Sequence, residues 1–236
     1  MNPALAALDR EDTLAGVLKA IRDAAAQHGG KRVSYHFTPV FNRQTSAKTV
    51  VVAEGFPERW IELYNDRDFR AVDPIPDAVM KRGTITSWTD ALLDAKLTPG
   101  LRDFIVAMQT NGLVFGVGFP LFGPHNRNAY AAIGFDQPVP PASEGEMMEL
   151  HMLLQAGHLR ICDLVGRNHA KVRLSGREAE IMAWVGRGKS NADIATILGI
   201  SPDTVSTYLD RVFGKLGSRS RVGATVRALK LGLIDL

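Results

Sequence analysis

The last third of the chain has a pattern that admits few folds. Ser190–Leu198 reads as a short helix stopped by Gly199, and Ser201-Pro202 opens another that runs to about Leu216. Only Gly199-Ile200-Ser201 separates them, so the two helices must turn sharply and pack on each other. Ile194, Ala195, Leu198, Val205, Leu209, Val212 and Leu216 recur at helical spacing and form the core side. Thr204, Ser206, Thr207, Asp210, Arg211 and Lys215 then fall on the outer side of the second helix. A helix runs from Ser175, with Glu178 placed for a capping box, to Val185, and a last one spans Arg221–Leu231 before Gly232. Spacing alone fits either a helix-turn-helix or an αα-hairpin of another helical domain. In the first case, short polar side chains on a protruding helix suit a DNA major groove. Lys189, Arg211, Lys215, Arg219 and Arg221 could then meet phosphates.

Charge distribution points the same way. From Lys171 onward there are 11 Lys and Arg against 6 Asp and Glu, a balance of +5; the preceding residues carry 17 against 19, or −2. A basic tail behind a near-neutral body suits a polyanion partner, although a solvated basic face has the same signature. Among the 236 residues no apolar run approaches the ~20 that cross a bilayer. The opening MNPALAALDREDTLAG carries acids where a signal peptide needs a basic start. One cysteine, Cys162, excludes an internal disulfide. A cytoplasmic protein with no membrane partner is expected.

Upstream, strands are bracketed by helices. Asp12–His28 reads as an amphipathic helix with Leu14, Val17, Leu18, Ile21 and Ala25 on its stripe. Arg32–Pro39 and Lys48–Glu54 read as strands joined by the turn Asn42–Thr45. Pro57 opens a helix in which Phe56, Trp60, Leu63 and Tyr64 share a face. Short segments Ile75–Lys81 and Thr84–Trp88 follow, then a helix over Thr98–Asn111. Leu113–Leu121 and Ala129–Phe135 read as a strand pair around Gly123-Pro124. Beyond the breaker Pro138–Pro141, Ser143–Val165 reads as a long helix with Met148, Met152, Leu159 and Cys162 among its apolar positions. The expected fold class is α+β: an α-β-α layered domain over residues 1–165, a linker over 166–173, and a small all-α helix-turn-helix domain over 174–236.

Leu174–Ile234 resembles the LuxR-type helix-turn-helix throughout, through Arg177-Glu178, Gly188-Lys189-Ser190, Ile194-Ala195, Ile200-Ser201, Thr204-Val205, Lys215-Leu216, Arg219, Arg221 and Ala224. The resemblance implies that Glu178 is structural, that Thr204–Leu216 enters the major groove, and that Ser206 and Asp210 stand at base-reading positions. Asp210 departs from the basic or amide residue common there; it can accept from a cytosine amine or act as a negative selector. Gly188-Lys189-Ser190 also resembles part of a P-loop. However, Ala183 occupies the position of the earlier glycine and a helix precedes the segment.

Trp60, Tyr64, Asp73-Pro74 and Trp88, with Gly116 and Pro120-Leu121, resemble the autoinducer-binding domain of LuxR-type quorum-sensing regulators. The resemblance implies an N-acyl-homoserine lactone ligand, no other cofactor, and a homodimer on a pseudo-palindromic operator. Trp60 would donate to the lactone carbonyl, Asp73 would accept the ligand's amide N–H, and Tyr64 and Trp88 would wall the ring. Phe56 stands where many members have Tyr, Ile75 where others have Thr, and Ala131–Phe135 lacks a strand hydroxyl. Ser34, His36 and Thr38 alternate on one strand face, turned either to the acyl channel or to solvent. If they face inward, the acyl group is expected to be short, oxidised or aromatic. A ligand-independent regulator, or one tuned to a non-lactone molecule, is the alternative that Phe56, Ile75 and the missing hydroxyl favour. An enzyme acting on acyl lactones would need a catalytic set, and none is evident: His158 and Cys162, one turn apart, are two potential metal ligands without a third. Ser143–Val165 is the candidate dimer contact.

Overall fold

The computed structural model describes residues 3–38, 49–66, 69–138, 144–167 and 172–235. The turn Asn42–Thr45, Lys48, residues 139–141 of the expected breaker, Ser143 and residues 168–171 of the expected linker lie outside them. The chain forms two compact units, Met1–Arg167 and Asn168–Leu236.

The first unit contains helices α1 (Pro3–Arg10) and α2 (Leu14–Gln27), then strands β1 (Arg32–Phe37) and β2 (Val50–Glu54). Helices α3 (Glu58–Asp66), α4 (Phe69–Val72) and α5 (Ile75–Arg82) lead to β3 (Thr86–Ser87), α6 (Trp88–Leu93) and α7 (Pro99–Thr110). Strands β4 (Phe115–Leu121) and β5 (Ala129–Phe135) precede the long α8 (Glu144–Arg167). The sheet order is β2-β1-β5-β4-β3, with every neighbouring pair antiparallel.

Alternation along the strands divides the sheet's residues between two cores. Odd-numbered Val33, Tyr35, Val117, Phe119, Leu121, Ala129, Ala131, Ile133 and Phe135 pack with side chains of α1, α2 and α8. On the other face, Tyr130 and Ala132 pack with Trp60, Phe69, Ile75, Val79, Trp88, Phe104 and Met108 from α3 to α7. The register aligns the even positions in rows. His36 pairs with Tyr130, Ser34 with Ala132 and Arg32 with Gly134 on β5, whose other edge matches Tyr130 to Pro120, Ala132 to Gly118 and Gly134 to Gly116. The result is the α-β-α layering expected for this unit.

Several local expectations need correcting. Leu14 is 41% exposed at the first turn of α2, because Thr13 caps the helix there and its buried stripe begins at Val17. Trp88 opens α6 rather than closing an extended segment, since the Ser87 side chain caps the Asp90 N–H. The β4 strand starts at Phe115, and Leu113 is buried with the α3–α7 layer instead. Helix α8 continues to Arg167, into the span expected as linker. Met148, Met152 and Leu159 are exposed, while Leu150, Leu153, Leu154, Ile161 and Cys162 fill the core side of α8.

The second unit comprises α9 (Gly176–Gly186), α10 (Asn191–Leu198), α11 (Pro202–Leu216) and α12 (Arg221–Lys230) around Ile181, Met182, Val185, Ile194, Val205, Leu209, Val212 and Leu216. Gly199, at φ 64°, supplies the left-handed residue that turns α10 into α11. Ser175 and Glu178 form a reciprocal capping box on α9. Glu178, only 4% exposed, also receives Lys215 Nζ at 2.6 Å, which ties the start of α9 to the end of α11. Burial alone would raise the Glu178 pKa, but the bonds from Lys215 and Ser175 outweigh it and hold the carboxyl below its ordinary 4.5. That stabilisation is present above pH 4.5 and fades on acidification. Replacing Glu178 with Ala should remove about 2 kcal/mol from the helical unit, by loss of the cap and the lysine's partner. Thermal unfolding of the full chain followed by far-UV circular dichroism checks this; an unchanged midpoint would show that the cap carries no weight.

Candidate ligand cavity and DNA-binding surface

Between the even face of the sheet and the α3–α7 layer lies a cavity of about 270 Å³. Phe56, Trp60, Tyr64, Asp73, Ile75, Trp88, Ser34 and His36 all line it, as do Arg70 and Tyr130. Residues spread from position 34 to position 130 of the chain thus converge on one space. Ser34 and His36 face inward, which settles the open choice of strand face. Thr38, though buried, lies outside the cavity lining, its hydroxyl 3.3 Å from that of Thr49.

The polar groups cluster in an otherwise aromatic wall. Asp73 accepts from the Tyr64 hydroxyl at 3.0 Å and from the Ile75 backbone N–H at 2.9 Å. Burial pushes its carboxyl up to about 7 in spite of those two bonds, so at neutral pH it is only partly ionised rather than a fixed anion. The Trp88 indole N–H is buried without a hydrogen-bond partner among the described residues; the Tyr130 hydroxyl is beside it but out of bonding geometry. Burial raises the Tyr64 and Tyr130 hydroxyls well above the ordinary phenol value, so both remain protonated. The wall therefore offers indole donors, phenolic hydroxyls and one carboxylate acceptor within a space lined by Phe56, Phe104, Met108 and Leu113. A small molecule with both a carbonyl acceptor and an N–H donor would satisfy it.

Trp88 owes its position to glycine. A Cβ on Gly116 would come within 2.3 Å of the indole, and one on Gly134 within 3.2 Å of its far edge. These two glycines are paired across β4 and β5, so the ring lies flat on bare backbone. His36 packs edge-on against Tyr130 and its Nε2 is 3.1 Å from Ser34 Oγ; burial, with the Arg70 charge, pushes its pKa down to about 3 and keeps it neutral.

Tyr130 and Arg70 were not among the expected site residues. Tyr130 is the second residue of β5 and lines the cavity, one residue before the hydroxyl-free stretch Ala131–Phe135. Its even position in the alternation was the available signal. Arg70 sits on the four-residue α4, too short to carry a pattern. His158, a conceivable metal ligand, is engaged by protein groups: Nδ1 lies 2.8 Å from the Tyr35 hydroxyl and Nε2 2.8 Å from the Arg127 carbonyl. Cys162 beside it is buried, with its thiol pushed up to about 11.

In the helical unit, Ser206, Thr207, Asp210 and Arg211 lie exposed along α11, and Lys189 and Arg219 are exposed nearby. The Arg211 guanidinium rests over the Tyr208 ring. Thr204 is half-buried and its hydroxyl meets Ser201 Oγ at 2.8 Å. Thr207 returns its hydroxyl to the Asp203 carbonyl. Two expected phosphate contacts have internal work: Lys215 holds Glu178, and Arg221 donates to Asn191 Oδ1 and to the Lys189 carbonyl. Arg177 and Arg227 similarly bind the carbonyls that end α10 and α11. Part of the basic bias is therefore structural.

A small-molecule cavity in an α/β unit, on one chain with a helix-turn-helix unit, has the build of a transcriptional regulator that senses a small molecule. Residues 13–161 match the family model of the autoinducer binding domain, and residues 172–228 match that of bacterial regulatory proteins of the luxR family. The chain is 32% identical over 202 residues to the quorum sensing-dependent transcriptional regulator RpaR of Rhodopseudomonas palustris, covering 83% of this chain and 79% of that protein. Its fold is similar to that of Escherichia coli SdiA, with a TM-score of 0.78 at 23% identity over 98% of this chain and 96% of SdiA. A structure of SdiA in complex with octanoyl-rac-glycerol gives a TM-score of 0.74 at 22% identity, covering 98% and 94%. The chain belongs to the LuxR family of quorum-sensing transcriptional regulators, with an autoinducer-binding domain and a DNA-binding helix-turn-helix.

Protonation of Asp73 yields a prediction about the ligand-free protein. Its raised pKa means that the folded state keeps a proton which the unfolded chain loses, so wild-type stability falls as pH rises from 3.8 to about 7 and is flat beyond. Asp73→Asn lacks this loss. Its stability relative to wild type should grow across that window by up to about 4 kcal/mol. Denaturant titrations at several pH values check it, and the difference between the two proteins cancels the opposing contributions of His36 and His158.

Proposed function

We propose that the chain is a regulator that binds an N-acyl-homoserine lactone and acts on DNA as a homodimer in the cytoplasm, with no cofactor besides that ligand. The observation that carries this reading is the grouping of Trp60, Trp88 and Asp73 on one cavity wall, two of them with unspent hydrogen-bonding capacity. No described group bonds to the Trp60 indole N–H, and the Trp88 N–H is orphaned. In the proposed complex Trp60 donates to the lactone carbonyl and Asp73 accepts the amide N–H, drawing the carboxyl into its ionised form. Tyr64 and Trp88 wall the lactone ring, Phe56 and Ile75 give apolar contact, and Ser34 and His36 line the acyl end. Residues 1–165 form the ligand-binding and dimerisation domain, 166–173 the linker and 174–236 the DNA-binding domain. The exposed stripe Met148, Met152 and Leu159 on α8 supports pairing through that helix.

Two-fold pairing would set two copies of α11 on successive major grooves of a pseudo-palindromic site. Ser206 and Asp210 face the bases, while Lys189, Arg211 and Arg219 meet phosphates; Thr204 and Thr207 shape the helix start. Lys215 and Arg221 contribute by holding α11 and the turn in place. A second reading, a non-lactone ligand, is favoured by Phe56 and Ile75, which lack the hydroxyls of a lactone amide's usual donors.

A ligand at about 100 times its Kd adds roughly 2.7 kcal/mol to the folded state, enough to move Tm by several degrees. A thermal-shift screen of the full chain against acyl-homoserine lactones of varied acyl group should therefore give a clear shift for one class, and Trp60→Phe should shrink that shift, measured from the variant's own ligand-free Tm, which the lost core contacts lower. No shift across the series would favour the second reading; an undiminished shift in Trp60→Phe would misplace the lactone carbonyl. Operator binding should weaken steeply with salt, and Arg211→Ala should lower the salt slope by about one.

A further inference from the structure

The cavity lining includes a cation, Arg70, that forms no ion pair among the described residues. Arg70 lines the cavity from α4, and its Nη1 donates to the Thr49 carbonyl at 3.2 Å. It forms no ion pair with any described residue, and Asp73, three residues on, has its oxygens engaged by Tyr64 and Ile75. The Arg70 charge is felt both by His36 on the sheet and by Tyr64 on α3, so it stands between the two walls. Facing it, His36 is locked to Ser34. Laying a saturated hydrocarbon chain here would strip water from a guanidinium and return nothing. An acceptor oxygen would instead gain a charge-assisted hydrogen bond, and a guanidinium offers five donors of which one is shown to be spent. At about 270 Å³ the cavity also leaves little room for a long chain.

We infer that Arg70 is a specificity determinant that selects an acyl group bearing an acceptor oxygen, a keto or carboxylate oxygen held against the guanidinium beside the His36–Ser34 pair. This rests on the lactone reading above and adds to it the chemistry of the acyl portion.

The test uses three lactones of equal chain length: N-hexanoyl-, N-(3-oxohexanoyl)- and N-(5-carboxypentanoyl)-homoserine lactone. Calorimetric titration of the full chain should show at least one oxygenated probe binding about ten- to a hundredfold tighter than the hexanoyl probe. The identity of the preferred probe tells whether the oxygen sits near the amide or at the chain end. Arg70→Met should bring the ratio close to one, and Arg70→Lys should keep part of it. Because the readout is a ratio between probes on the same protein, a general loss of stability in the variant does not imitate the effect. A hexanoyl probe that binds as well as both oxygenated probes, or a preference that survives in Arg70→Met, overturns the proposal while leaving the lactone reading intact. Binding of none of the three overturns this proposal, and the lactone reading falls with it only if the varied acyl series above also gives no shift.

Discussion

The two cores of the first unit depend on a single antiparallel sheet in which successive residues serve opposite faces. The central strand β5 is hydrogen-bonded on both edges, to β1 and β4, so its register fixes theirs. A slip of one residue would send Ala131 and Ile133 into the cavity and Tyr130 and Ala132 into the α1–α2–α8 core. Large apolar side chains sit at the odd positions and small or polar ones at the even positions of β1 and β4. A one-residue slip would therefore exchange the two sets between faces of different shape and polarity. The cavity therefore belongs to the way the sheet pairs.

Inside that frame the site combines two costs. One is burial of Asp73, whose carboxyl rises to about 7 and so avoids holding a full charge away from water. The other is the Trp88 N–H, left without an acceptor. Both are held in place, the Trp88 ring on the Gly116–Gly134 pair and Asp73 by the Tyr64 hydroxyl and the Ile75 N–H. A polar group fixed in place before its partner arrives loses little further freedom on binding. The helical unit spends its polar contacts differently. Glu178, Lys215, Arg221 and Arg227 satisfy helix ends and lock the helices together, leaving Ser206, Asp210 and Arg211 on the open side of α11.

Long periodic elements with capping residues could be read from the amino-acid pattern: α2, α7, β5, α8 and all of the helical unit. Elements too short to show a period could not. The four-residue α4 and the two-residue β3 have none, and α6 follows β3 so closely that Trp88 read as its continuation, although Ser87 with Asp90 was a cap in plain sight. Trp60, Tyr64, Asp73 and Trp88 line one cavity, as the family resemblance implied and their own spacing did not. The face taken by Ser34 and His36 was undetermined because polar residues alternating with apolar ones ordinarily mean solvent on one side, whereas here helices cover both. Lys215 and Arg221 show a different limit. Charge on a helix can be counted from sequence, but whether it meets a phosphate or a neighbouring helix depends on packing that no local pattern encodes.

The division of the sheet into odd and even residues also bears on how such a protein can change over time. Substitutions at Ser34, His36, Tyr130 or Ala132 alter the floor of the cavity, yet their immediate neighbours Val33, Tyr35, Ala131 and Ile133 keep the opposite face and its contacts with α8 intact. Recognition of the small molecule can thus drift by single residues while the helix bearing Met148, Met152 and Leu159 stays where it is. Neighbouring residues of one sheet thus answer to different partners, the cavity on one side and the α1–α2–α8 core on the other.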